Sequence, residues 1–216
     1  MSPNKENYLK NIFELQHSSQ KVTNKRLAEM MQVSAPSVTE MLVPLAKDDL
    51  IEHTPYNQIF LTKNGQALAK DLVKKHRLWE VFLVNKLHYD IDQVHSAADD
   101  LEHATDTQLA QALNQYLQYP QKCPHGGIIP GNGQGQSDDD DLLLSNITEN
   151  TTIKIVRIFD NRDFLSYFHS LGLKLNQVLT VVKRSNFDHS LLLETKEHQK
   201  ISVSKELTHY IFVEKI

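Results

Sequence analysis

Residues 131–141 read GNGQGQSDDDD. Glycines followed by a run of like charges have no means of burying surface, so no hydrophobic core can pass through this stretch. It divides a chain of 216 residues into two parts with different periodicities. Before it, apolar residues recur every three to four positions, the spacing of helices packed on one face. After it come short alternating segments: TIKIVRIF, QVLTVVKR, SLLLET, QKISV and HYIFVEKI. These predict a small β-rich domain, most simply a small barrel, with one helix over 162–170. The expected fold is mainly α with a small β part.

The helical part has its own order. Residues 4–16 put Tyr8, Leu9, Ile12 and Phe13 at helical spacing, with charges on the opposite face. Thr23 can cap a second helix, NKRLAEMM, and Ser34 a third, with Pro36 tolerated in its first turn. That third helix runs to about Asp48. IEHT and IFLT then read as two short strands joined at PYNQ. Helix, helix–turn–helix and hairpin is the order of a winged-helix DNA-binding domain, here 1–64. Helices follow at 65–87, about 91–104 and about 106–117, ended by Tyr119-Pro120. Residues 65–130 thus form a helical domain, 131–148 a linker, and 149–216 the C-terminal β domain.

The net charge of −4 is uneven. Residues 1–75 carry 10 basic and 8 acidic side chains, 76–145 carry 3 and 11, and 146–216 carry 10 and 8. Five of the 11 histidines also lie in the acidic middle third. Carboxylates mixed with imidazoles attract divalent cations, although an acidic solvated helical surface has the same composition. A single cysteine excludes an intramolecular disulfide and fits a reducing compartment. The N-terminus MSPNKENYLK has no apolar signal segment, and the apolar runs are too short to span a bilayer. The expectation is a cytoplasmic protein.

Three constellations carry chemistry. In VHSAADDLEH, residues 94–103, His95, Asp99, Glu102 and His103 share one helical face. Two imidazoles and two carboxylates on one stripe suit a metal of borderline hardness, and suit an exposed polar stripe equally well. The preceding helix carries His76 and Glu80 one turn apart, and two antiparallel helices with facing stripes can build a metal site. CPHGG, residues 123–127, sets Cys123 two positions before His125 in a glycine loop. Cys123 can be a nucleophile, a metal ligand or a buried small hydrophobe.

KHRLWEVFL (75–83), VHSAADDLEH and CPHGGIIP (123–130) occur here in order behind a winged helix and ahead of a small β domain. This pattern resembles the diphtheria toxin repressor family over essentially the whole chain, and within it the manganese- and iron-dependent repressors of lactic and streptococcal bacteria. The resemblance implies a homodimer that binds palindromic operators in double-stranded DNA when loaded with metal. It implies an SH3-like, FeoA-like C-terminal domain. It assigns one metal site to Glu80, Cys123, His125 and Asp160, and a second to Asp99, Glu102 and His103 with Asn7 of the first helix. His76 and His95 would belong near Glu80. Lys25, Arg26, Ser34, Ala35, Pro36, Ser37, Val38 and Thr39 would face DNA, with Lys63 at the wing.

The sequence departs from that pattern at three positions. Asn7 stands where an acid or methionine is usual, so affinity at the second site should fall. Pro44 lies inside the third helix, where it removes a donor and crowds the carbonyl of Glu40 at a cost of about 3 kcal/mol. A kinked or shortened helix is expected, with base contacts moved toward Ser34–Thr39. Asn176 stands where glycine is usual, and asparagine tolerates the left-handed region. Oxygen-rich ligands favour Mn2+, while a thiolate favours Fe2+ or zinc. Manganese is the expected cofactor and iron(II) the next, and the resemblance implies a metal-uptake operon as the target. The rival expectations are a winged-helix regulator with a vestigial metal site and a metal-dependent hydrolase.

Overall fold

The computed structural model describes residues 1–17, 21–53, 58–91, 93–133 and 141–216. Helix α1 spans Pro3–Gln16, α2 Asn24–Met31 and α3 Ala35–Lys47. Strands β1 (Ile51–Glu52) and β2 (Phe60–Leu61) pair antiparallel as a wing. Most of the expected PYNQ turn lies outside the described residues. Helix α4 (Lys63–Leu87) leads to α5 (Val94–Ala104) and α6 (Thr107–Tyr116).

Thr23 and Ser34 cap their helices as expected, and three further residues do the same. Ser2, Thr23, Ser34, Thr62 and Asp106 each accept a backbone N–H from the first turn of the helix they precede. Thr62 starts α4 two residues before the expected position, so Lys63 is the first residue of the long helix and not part of the wing. Helix α3 is not shortened. It runs through Pro44 to Lys47 because Val38, Leu42 and Leu45 bury one face against α1 and α2. The carbonyl that loses its donor belongs to Glu40, an exposed residue.

The C-terminal unit is a six-stranded antiparallel sheet in the order β3-β8-β4-β5-β6-β7. Its strands are β3 (Leu142–Leu143), β4 (Thr151–Ile158), β5 (Val178–Arg184), β6 (Leu191–Thr195), β7 (Lys200–Val203) and β8 (Ile211–Lys215). Helix α7 (Arg162–Ser170) follows β4. Register shifts at Ile155/Arg157 and Val181/Lys183 bend the strands around a core of Ile153, Ile155, Phe168, Leu179, Val181 and Leu193. Asn176 has φ 63°, the left-handed value expected of it.

The expected linker reached residue 148, but the sheet begins earlier. Leu142 and Leu143 pair with Val213 and Phe212, and Leu143, Leu144 and Ile147 are buried. Strand β8, which lies far along the chain, recruits them.

Candidate metal centre

Helix α4 carries His76 and Glu80 one turn apart, and α5, packed against it, carries His95, Asp99, Glu102 and His103. The 123–127 loop closes on itself. Cys123 N–H donates to Gly127 O and Gly126 N–H to Cys123 O, both at 2.9 Å. Gly126 has φ 89°, and a Cβ there would sit 2.1 Å from Val156 O. Only glycine lets this loop lie against β4. Ile158 N–H donates to His125 O at 3.0 Å, which fastens the end of β4 to the loop and delivers Asp160 two residues later.

Glu80, Cys123 and His125 are all buried, and one donor atom from each falls within 4.8 Å of the others. Glu80 is shared with a second set, His76, His95 and Asp160, of the same compactness. Asp160 Oδ2 lies 2.7 Å from His76 Nε2 and 2.8 Å from His95 Nδ1, and its Oδ1 lies 3.7 Å from His125 Nδ1. His125 Nε2 is 3.1 Å from the carbonyl of Ile91. A carbonyl only accepts, so Nε2 carries the hydrogen and Nδ1 faces the cluster.

Several of these atoms are buried without a hydrogen bond: both Glu80 oxygens, His95 Nδ1, His125 Nδ1 and Asp160 Oδ1. His125 Nδ1 and Glu80 Oε1 are 2.7 Å apart but not aligned as donor and acceptor. Buried polar groups are normally satisfied, so a cluster of orphaned donor atoms of metal-ligand type fits a divalent cation. The electrostatics agree. Burial works against a charged His125, yet Glu80 and Asp160 raise its pKa to about 12. Burial and the Glu80 carboxylate push the Cys123 thiol up. Burial and Asp160 oppose ionisation of Glu80, but His125 and His76 win and lower its pKa. Protons hold together what a metal ion would hold.

The second expected group is arranged differently. His103 Nε2 is 2.9 Å from Asn7 Oδ1, and its Nδ1 is 2.6 Å from Glu6 Oε2. Asp99 and Glu102 both bind the ammonium of Lys10, at 2.7 Å for Glu102 Oε1. His76 Nδ1 is 2.5 Å from Glu102 Oε2. Burial acts to lower the Lys10 pKa, but Glu102 and Asp99 outweigh it and raise it to about 12. Lys10 reads in sequence as one of the solvent-facing charges of α1, whereas it is 8% exposed. Its place three residues after Asn7, hence on the same face, was the available signal. Glu14 was also missed; it pairs with the buried Arg77 at 2.9 Å.

Of the residues expected at DNA, Ser34, Ala35, Pro36, Ser37 and Thr39 are exposed at the start of α3. Lys25 is exposed on α2, and Lys63 is exposed at the start of α4. Two expectations are corrected. Val38 is fully buried in the core, because it lies on the inner face of α3 with Leu42 and Leu45. Arg26 is turned toward the β unit, where it donates to Tyr210 Oη at 2.9 Å and lies 3.9 Å from Glu206.

A winged helix whose first helix reaches a buried donor cluster defines a class of protein: regulators whose hold on DNA answers to a metal ion. The comparisons bear this out. Residues 1–59 match the iron dependent repressor N-terminal DNA binding domain, 62–131 the iron dependent repressor metal binding and dimerisation domain, and 142–215 the FeoA domain. The manganese regulator SloR is 38% identical, with 100% of both chains covered and a TM-score of 0.89. The metal-dependent transcriptional regulator MtsR is 34% identical, with 100% of both covered and a TM-score of 0.90. The diphtheria toxin repressor of Corynebacterium efficiens is 25% identical over 98% of this chain and 95% of its own. The chain belongs to the diphtheria toxin repressor family and is a metal-dependent DNA-binding repressor. This is a family of regulators and not of enzymes, so the hydrolase reading falls.

Proposed function

We propose that the chain represses metal-uptake genes in the cytoplasm, as a homodimer bound to a palindromic operator, with Mn2+ as co-repressor and Fe2+ as the next candidate. The observation that carries it is the convergence of Glu80, Cys123, His125 and Asp160, with His76 and His95 alongside, in which both Glu80 oxygens, His125 Nδ1, His95 Nδ1 and Asp160 Oδ1 are buried without a hydrogen bond. The two carboxylates, Glu80 and Asp160, favour a hard cation such as manganese, while the imidazoles and the thiol suit iron(II). SloR, described as a manganese regulator, supports the same choice.

A bound cation supplies the positive charge that replaces the protons now holding these groups together. The donors come from α4, the 123–127 loop and the end of β4, so filling the centre favours one arrangement of these elements. Helix α1 touches the same region, through Asn7 on His103 and Lys10 on Asp99 and Glu102, and this conveys the arrangement to the winged helix. Ser34, Ala35, Pro36, Ser37 and Thr39 form the base-reading end of α3, and Lys25 and Lys63 contact phosphates. Among the described residues no helix is long and apolar enough to cross a membrane.

The test is fluorescence anisotropy of a labelled metal-uptake promoter with metal-stripped protein, alone, with Mn2+, and with Fe2+ under anaerobic conditions. A gain of at least about tenfold with one metal is expected, which is about 1.4 kcal/mol of coupling. Tight binding that ignores both metals would overturn the reading.

A further inference from the structure

We propose that Lys10 is a built-in cation whose ammonium fills the group formed by Asp99, Glu102 and His76, so that each chain holds one divalent ion, at the Glu80–Cys123–His125–Asp160 group. This rests on the metal reading of that first group and goes beyond it.

Asp99, Glu102 and His76 present three donor atoms within 4.8 Å of one another, the compactness of a metal site. Their interior is taken. Lys10 Nζ contacts Asp99 Oδ1, lies 2.7 Å from Glu102 Oε1 and 3.5 Å from His76 Nδ1. An ammonium offers three N–H donors, and here the two carboxylate oxygens accept from it, while His76 Nδ1, which donates to Glu102 Oε2, lies beside it. The side chain of Lys10 is 10% exposed and that of Glu102 is 0% exposed. A second divalent ion would have to break both ion pairs and leave a buried ammonium beside a doubly charged cation. Both changes are unfavourable, most of all at Glu102, which water does not reach, and less so at Asp99, whose side chain is 34% exposed.

The neighbours reinforce the exclusion. The remaining oxygen of Glu102 is 2.5 Å from His76 Nδ1. Both nitrogens of His103 are engaged, by Glu6 and Asn7. Asn7 brings an amide and no charge, and the carboxylate that α1 adds here, Glu6, is engaged by His103. The arrangement also joins α1 of the DNA-binding unit to α5 of the helical unit with charge the chain supplies itself.

The test counts metal and needs no DNA. Stripped wild-type protein, Lys10→Met and Lys10→Gln are dialysed to equilibrium against Mn2+ alone, and bound manganese per chain is measured by mass spectrometry. The expected result is one ion per wild-type chain and two per Lys10→Met or Lys10→Gln chain, with the second lost again when Glu102→Gln is added. Two ions per wild-type chain would overturn the proposal, and this arm is decisive even if a Lys10 variant does not fold. One ion in folded Lys10 variants would also overturn it, since the group would then be no metal site even when emptied. No ion in any of the proteins would instead overturn the metal reading beneath it.

Discussion

Asp160 Oδ2 lies 2.7 Å from His76 Nε2, although 84 residues separate the two in the chain. The carboxylate comes from the end of β4 in the C-terminal unit and the imidazole from α4 of the helical unit. Their contact makes the β unit part of the donor cluster. Burial opposes the ionised form of Asp160, but His95 and His125 hold its pKa well below the usual carboxylate range. Asp160→Asn should therefore weaken Mn2+ binding by at least about tenfold, near 1.4 kcal/mol. Calorimetric titration measures it, and hydrogen exchange should show 159–165 opening in the variant. Unchanged affinity would remove Asp160 from the ligand set.

Metal binding should be proton-linked, with affinity rising as pH rises. His125, held at about 12 against the opposing effect of burial by Glu80 and Asp160, and Cys123, raised by burial and Glu80, both carry protons at neutral pH. A metal takes thiolate and unprotonated imidazole, so protons leave as it binds. Apparent Mn2+ affinity should increase steadily from about pH 6 to about pH 8. The metal-free fold has the complementary dependence. His125 is raised, so its contribution is complete below its unfolded value near 6.5 and is lost as pH climbs through about 12. Glu80 and Asp160 are lowered, so theirs is present above the ordinary carboxylate range and is lost as pH falls through their folded values. Metal-free protein should thus melt at lower temperature in acid, as scanning calorimetry would show.

Gly126→Ala should do more damage than Gly172→Ala. Both glycines have positive φ, 89° and 73°, but a Cβ at Gly126 meets Val156 O at 2.1 Å while one at Gly172 meets nothing within 4 Å. Strain alone costs about 1–2 kcal/mol at Gly172. At Gly126 the loop must also lift from β4, which separates Cys123 and His125 from Asp160. Thermal melts should rank the variants in this order, and the Gly126 variant alone should lose its manganese.

Arg26 and Lys25 are adjacent in sequence and should behave oppositely at DNA. Lys25 is 86% exposed, whereas Arg26 donates to Tyr210 Oη and lies over its ring. Lys25→Ala should reduce the salt slope of operator binding by about one, the signature of one lost phosphate contact. Arg26→Ala should leave that slope unchanged. Tyr210→Phe should instead cost about 1 kcal/mol in stability, for one lost hydrogen bond.

Much of the site can be read along the chain because helical periodicity turns spacing into faces. His76 and Glu80, and likewise His95 and Asp99, are four apart, so each pair had to share a face wherever its helix went. CPHGG declared a tight loop, and Thr23 and Ser34 declared helix starts. Asn176 was expected in the left-handed region and is found there. These features depend on neighbours within a turn or two of each residue.

Other features depend on surfaces that meet only after folding. Leu142 and Leu143 look like the tail of a linker until β8 pairs with them. Val38 and Ser37 are neighbours in one helix, yet packing sends the first into the core and leaves the second at the surface. Pro44 argued for a broken α3, but the burial of Leu42 and Leu45 carries the helix past it. Lys10 is the plainest case. A lysine among charged neighbours reads as solvated surface, and its desolvation is offset only by two carboxylates supplied from α5, about ninety residues away. Local spacing sets which donors share a face. Long-range packing sets which of them water can reach, and therefore which are left for a metal and which are filled by the chain's own charge.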